Sequence, residues 1–209
     1  MSETRLKILD TAERLFGEEG FRAVSLRHIT ADAGVNLASI HYHFGSKEEL
    51  LDELVARRAG PVNEERMEKL RRLREAAGAN PIELDDLLEA FLVPAFRSAE
   101  KSPEWVKLMG RLHAEGVMPA VGRKHFGPVG ELFLTELRRA LPHLPPDEMA
   151  WRINFAAGAM ALALRVMPMG GLHGLPSEAP TQVARRIVAF VSGGFRAPVA
   201  APEDVEIKR

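Results

Sequence analysis

Ser25, Asn36 and Ser46 each stand directly before a short apolar run at helical spacing, and Gly34 lies between the first two. Ser and Asn side-chain oxygens accept hydrogen bonds from the free N–H groups of a helix's first turn, so each marks a start. Glycine adopts the left-handed conformation that closes helices, so Gly34 marks a stop. This punctuation predicts a short helix carrying Leu26, Ile29 and Ala33, a tight turn, and a second short helix over Leu37 to His43. Ser46-Lys47-Glu48-Glu49 then reads as a Ser-x-x-Glu capping box ahead of Leu50, Leu51, Leu54 and Val55. Upstream, Leu6, Leu9, Ala12, Leu15 and Phe16 recur at three- and four-residue steps, which predicts a first helix from Thr4 to Glu19, ended by Gly17 and Gly20.

The helical period continues beyond this region. The fourth helix is expected to kink at Gly60-Pro61 and resume as far as Gly78, with further helices near 82–99, 103–115, 121–141, 146–167 and 178–195. Pro94 falls inside one of these and should bend it. No segment combines period-two alternation with β-branched enrichment, so the fold class is all-α. The division expected is a three-helix unit over 1–47, a larger helical domain over 48–196, and a disordered tail over 197–209, where prolines and charges replace apolar residues.

Net charge is −1 for the whole chain, so any attraction for a polyanion has to be local. Between Gly20 and Lys47 there are three cations, Arg22, Arg27 and Lys47, against one carboxylate, Asp32. The helix expected over Leu37 to His43 has no acidic residue, and a helix, a tight turn and a second short helix on an amphipathic support is the arrangement of a helix-turn-helix reader of DNA. Phe44, Val35, Ile29 and Ile40 are assigned to the core between the helices.

Gly34-Val35-Asn36, Leu37 to Ile40, His41-Tyr42-His43-Phe44 and Gly45-Ser46-Lys47-Glu48, with Ala12, Leu15, Phe16, Gly20, Phe21 and Ser25 before them, resemble the N-terminal signature of TetR-type regulators across residues 5–55. His41 departs from the tyrosine, leucine or asparagine more common there. The resemblance implies a homodimer that binds double-stranded operator DNA, and it places Ser25, Arg27, Leu37, Ala38, Ser39, Tyr42, His43 and Lys47 on DNA-contact positions. Their chemistry suits the task. Ser25, Tyr42, His43 and Lys47 donate to phosphates, Arg27 has the fork for a guanine, and Leu37 or Ala38 matches a thymine methyl.

The resemblance also implies an effector cavity in the second domain, where the candidates are Phe96, Trp105, Met109, Leu112, His113, Phe133 and Phe155. Leu144-Pro145-Pro146, Trp151-Arg152, Phe155 and Gly158 are similar to a TetR subgroup that includes repressors responsive to fatty acids or acyl-CoA. A small apolar effector of that kind is the expectation, with Arg111, Arg152 or Arg165 as partners for a carboxylate. The small positions from Ala156 to Ala163, with Ile187, Val188, Phe190 and Val191, match the last two helices, which in the family form a four-helix dimer interface.

Other classes find less support. Catalytic residues are not expected: no nucleophile sits in a recognisable strained turn, no glycine-rich phosphate loop follows a strand, and no metal-ligand cluster has helical i, i+4 spacing. Neither a metal nor a cofactor is expected, and without cysteine there is no disulfide framework or thiolate site. The longest apolar stretch, Phe155 to Leu164, is interrupted by Gly158 and falls short of the ~20 residues of a membrane span, so the reading is cytoplasmic with no membrane partner. A DNA binder without effector, and an activator of the same fold, remain open alternatives.

Overall fold

The computed structural model describes residues 2–166, 176 and 178–199. Ten helices make up the described residues, with no strand among them: α1 (Glu3–Glu18), α2 (Leu26–Ala33), α3 (Leu37–His43), α4 (Lys47–Ala77), α5 (Leu84–Lys101), α6 (Pro103–Ala114), α7 (Met118–His125), α8 (Gly127–Ala140), α9 (Pro146–Val166) and α10 (Pro180–Arg196). Residues 200–209 of the expected disordered tail lie outside the described residues, and 197–199 are non-helical and exposed.

The local signals act as chemistry requires. Ser25 accepts from the His28 N–H, Asn36 from that of Ala38 and Ser46 from that of Glu49, and Gly34 closes α2 in the left-handed region at φ 62°. The capping box at Ser46 is only half formed, because the Glu49 carboxylate accepts from the Ser46 hydroxyl at 2.9 Å and not from its backbone N–H. The fourth helix runs unbroken through Gly60 and Pro61 for 31 residues. The single helix expected over 121–141 is two, α7 and α8, split at Phe126. Pro128 has no N–H for the carbonyl four residues back and instead seats in the first turn of α8, where none is needed.

Two hydrophobic cores result. The first joins Ile8, Leu15 and Phe16 of α1 and Ile29 and Ile40 of α2 and α3 to Leu50, Leu54 and Ala59 of α4 and to Trp105, Leu108 and Leu112 of α6. The second joins the far end of α4 at Leu70 to α5, α8, α9 and α10. The core of the three-helix N-terminal unit, the head, therefore extends past residue 47 along α4 and takes in α6.

Candidate nucleic-acid interface and effector cavity

α3 buries only Ile40, which leaves the rest of its short surface for contact. Ile29, Ile40 and Phe44 are buried, and Val35 packs against them from the turn. On the other side Ser25, Arg27, Ala38 and Tyr42 are exposed, Tyr42 to 85%, while Leu37, Ser39, His43 and Lys47 are half-buried. The eight expected contact residues thus lie on the surface of α2, α3 and the start of α4. Asp32, the one carboxylate between Gly20 and Lys47, is paired with Arg14 at 2.5 Å, so its charge is balanced.

Lys47 behaves differently from the other seven. Its Nζ donates to the carbonyls of Phe21 at 2.8 Å and Val24 at 2.9 Å and sits 4.6 Å from the Phe21 ring centroid. Two of its three donors are occupied, so it ties the start of α4 to the turn that launches α2. His41 likewise turns inward along the chain, with Nδ1 3.0 Å from the Gly45 carbonyl.

In the second core, α5, α8 and α9 with Phe195 of α10 enclose a cavity of about 290 Å³. Leu88 and Phe91 line it from α5, Phe133 and Leu137 from α8, and Ile153, Ala156 and Met160 from α9. Gly127 and Gly130 supply no side chain there, and a Cβ on Gly130 would meet no atom within 4 Å. Arg66, buried on α4, lies with Cζ 4.1 Å over the Phe91 ring and donates from Nε to the Phe91 carbonyl at 2.8 Å. Pro94, inside α5, lacks the N–H that would serve the Ala90 carbonyl, one residue before the carbonyl that Arg66 holds. Burial pushes the guanidinium down to about 10, which leaves it charged at neutral pH.

Residues 8–54 match the family described as bacterial regulatory proteins, tetR family, and residues 89–194 match the tetracyclin repressor-like C-terminal domain. The chain belongs to the TetR family. Its relatives are transcriptional regulators and not enzymes, and TetR-family regulators bind operator DNA and act as dimers. The regulator BetI of Rhizobium meliloti is 28% identical over 156 residues, 75% of this chain and 73% of BetI. The solved structure of the ketosteroid transcriptional regulator KstR2 of Mycobacterium tuberculosis superposes with a TM-score of 0.62 at 23% identity, covering 93% of this chain and 95% of that one. That of the fatty acid degradation regulator FadR of Bacillus halodurans gives 0.65 at 14% identity, covering 95% and 99%.

For this TetR-family chain, the residues expected to line an effector cavity divide between this cavity and other places. Phe133 is in the wall. Trp105 and Leu112 are in the head's core and Met109 packs against it, because α6 lies on α1 and not between α5 and α8. His113 is exposed, and Phe96 is fully buried away from the wall. Phe155 points outward, 66% exposed and stacked on Trp151 with ring centroids 5.7 Å apart, since Ile153, Ala156 and Met160 occupy the α9 face that meets the cavity. The wall residues that sequence reading missed, Leu88 and Phe91 among them, carry an ordinary core pattern, and only the bare positions Gly127 and Gly130 signal unfilled space.

The head and the larger helical domain beyond it, called the sensor after the role proposed below, are joined by polar contacts as well as by α4. Glu13, buried in α1, accepts from Arg58 at 2.6 Å and from Arg57 at 3.0 Å, and Arg57 also pairs with Asp10. Gly17 lets α1 approach the α6 backbone, where a Cβ would stand 3.3 Å from the Leu108 nitrogen. Between α4 and α7, Asp52 accepts from Lys124 at 2.7 Å and from His125 at 2.8 Å. Burial alone would raise the Asp52 carboxyl, but these two hydrogen bonds outweigh it and hold the group below its ordinary value.

Proposed function

We propose that the chain is a ligand-responsive transcriptional regulator, a repressor released from a palindromic operator when a small apolar molecule fills the cavity between α5, α8 and α9. The observation that carries the reading is that cavity. Its volume is near the lower end of the ~300–1,000 Å³ of ligand sites, and its wall is almost wholly apolar, unlike the closed core of the head. Seating a ligand there separates α5 from α8 and α9, and α5 and α8 pack on α4, which begins at Lys47 just after α3. A dimer reads two half-sites about one helical turn or a multiple apart, so a change in α4 alters the spacing of the two α3 helices and with it operator affinity.

The dimer contact in this reading is the outer face of α9 and α10. Trp151, Phe155 and Leu162 on α9 and Phe190 on α10 are exposed large apolar groups, and Gly158, Gly193 and Gly194 permit close helix approach. At the operator, Arg27 reads a base edge and Ser25, Tyr42 and His43 hold phosphates, with Leu37, Ala38 and Ser39 fitting α3 to the groove. The protein acts in the cytoplasm, where the operator is, and no helix among the described residues is long and apolar enough to cross a membrane. The test is a footprint on operator DNA selected from random duplexes. The expected result is a two-fold symmetric footprint, abolished when Phe155→Glu and Phe190→Glu are combined and the protein sediments as a monomer. An asymmetric single half-site footprint from the unaltered chain defeats the proposal.

A further inference from the structure

The cavity wall has one ionisable group among the described residues, and it is a carboxylate: Glu131 of α8, one turn past Gly127. Glu131 is exposed to solvent as well as lining the cavity, so it stands at the mouth. None of the arginines anticipated as partners for a ligand carboxylate faces this space. Arg152 pairs with Glu148 and donates to the Phe195 carbonyl at 2.7 Å. Arg111 donates to the Glu18 carbonyl at 2.9 Å, in the head, and Arg165 lies with its stem 3.8 Å from the Cβ position of Gly110 on α6. Arg139 of α8 pairs with Glu136 at 3.4 Å and donates to the Ala79 carbonyl. The nearest buried cation, Arg66, is bound to the Phe91 carbonyl behind the ring that forms the wall, and is not itself part of it.

A carboxylate drawn into such a site loses water, gains no cation among the described residues, and meets a like charge at the entrance, so all three contributions disfavour it. A hydroxyl or a protonated amine on the same apolar body meets an acceptor where it leaves the cavity. We infer that the cavity takes a small apolar molecule whose polar end is a hydrogen-bond donor, seated against Glu131, and discriminates against carboxylates. The inference rests on the cavity being the effector site proposed above, and it narrows the class of effector away from free fatty acids.

The probes are three molecules of one chain length: decanol, decylamine and decanoate, titrated calorimetrically into the full chain at neutral pH below their micelle concentrations. Decanol and decylamine should bind, with decanoate at least about tenfold weaker, a difference of ~1.4 kcal/mol. Glu131→Gln should bring decanoate to within about threefold of decanol, a residual difference well under 1 kcal/mol. Gly130→Leu, which fills space open to a Cβ, should abolish binding of all three while its thermal unfolding midpoint is no lower than the parent's. Decanoate binding as tightly as decanol, an unchanged ratio of decanol to decanoate affinity in Glu131→Gln, or no binding by any probe overturns the inference. Operator release, followed in parallel, separates this from the functional reading: donor-ended probes that bind in the expected order but leave the operator complex intact support the ligand class and defeat the effector role.

Discussion

The head and the sensor are built from the same kind of helix and differ in how their inner faces are used. In the head, Ile8, Phe16, Ile29, Ile40, Leu50 and Leu108 are all fully buried around one another, and the charges at its border are latched in pairs. In the sensor, the inner faces of α5, α8 and α9 meet only in part, with the Phe91 and Phe133 rings 5.0 Å apart, and leave the cavity beside that contact, while the outer faces of α9 and α10 present large apolar groups to solvent. The contrast teaches that one part of the chain closes on itself to hold a fixed shape, while the other keeps the space that the proposed function requires. A closed core places α3 reproducibly, and an unfilled one can be shifted by what enters it.

If that contrast is right, truncation should have unequal consequences in the two cores. Phe16→Ala should destabilise by about 3–5 kcal/mol, because the closed head cannot collapse onto the hole, while Met160→Ala should cost less, about 2 kcal/mol, since Met160 already borders a void. Urea unfolding of both variants measures this, and equal losses would erase the distinction.

A second comparison concerns the latches. Glu13→Gln leaves Arg57 and Arg58 without their buried counter-charge and should destabilise the chain by about 3 kcal/mol, whereas Glu68→Gln, on the exposed outer part of α4, should be nearly neutral despite its contacts with Arg71 and Arg72. Thermal unfolding of the two variants decides it. A Glu13 variant as stable as the parent would show that the head-to-sensor junction does not depend on that carboxylate.

The smallest effect sharpens the reading of one residue inside the head. Lys47→Met removes two hydrogen bonds to the Phe21 and Val24 carbonyls and should cost about 1–2 kcal/mol of stability. If Lys47 acts by fixing the turn before α2, operator affinity falls while the slope of log affinity against log salt is unchanged. A slope reduced by about one would assign it a phosphate contact instead.

What sequence alone settled is what is encoded within a few residues. Ser25, Gly34, Asn36 and Ser46 determine where α2, α3 and α4 begin, because a cap is a contact between neighbours in the chain. The helix-turn-helix signature was legible for the same reason. The split at Phe126 was also encoded locally, in Gly127-Pro128, and was overlooked under a continuous apolar period.

The cavity and its charge belong to the tertiary structure. Trp105, Leu112 and Phe155 are apolar residues at helical spacing just as Leu88, Phe91 and Phe133 are, and periodicity gives an apolar face without naming its partner. That α6 turns its face to α1, that α9 divides its apolar residues between an inner wall and an outer surface, and that Glu131 stands at the mouth with no arginine in the wall among the described residues are outcomes of helix packing. Packing is decided by contacts between residues tens of positions apart, and the local pattern of a helix carries no record of them.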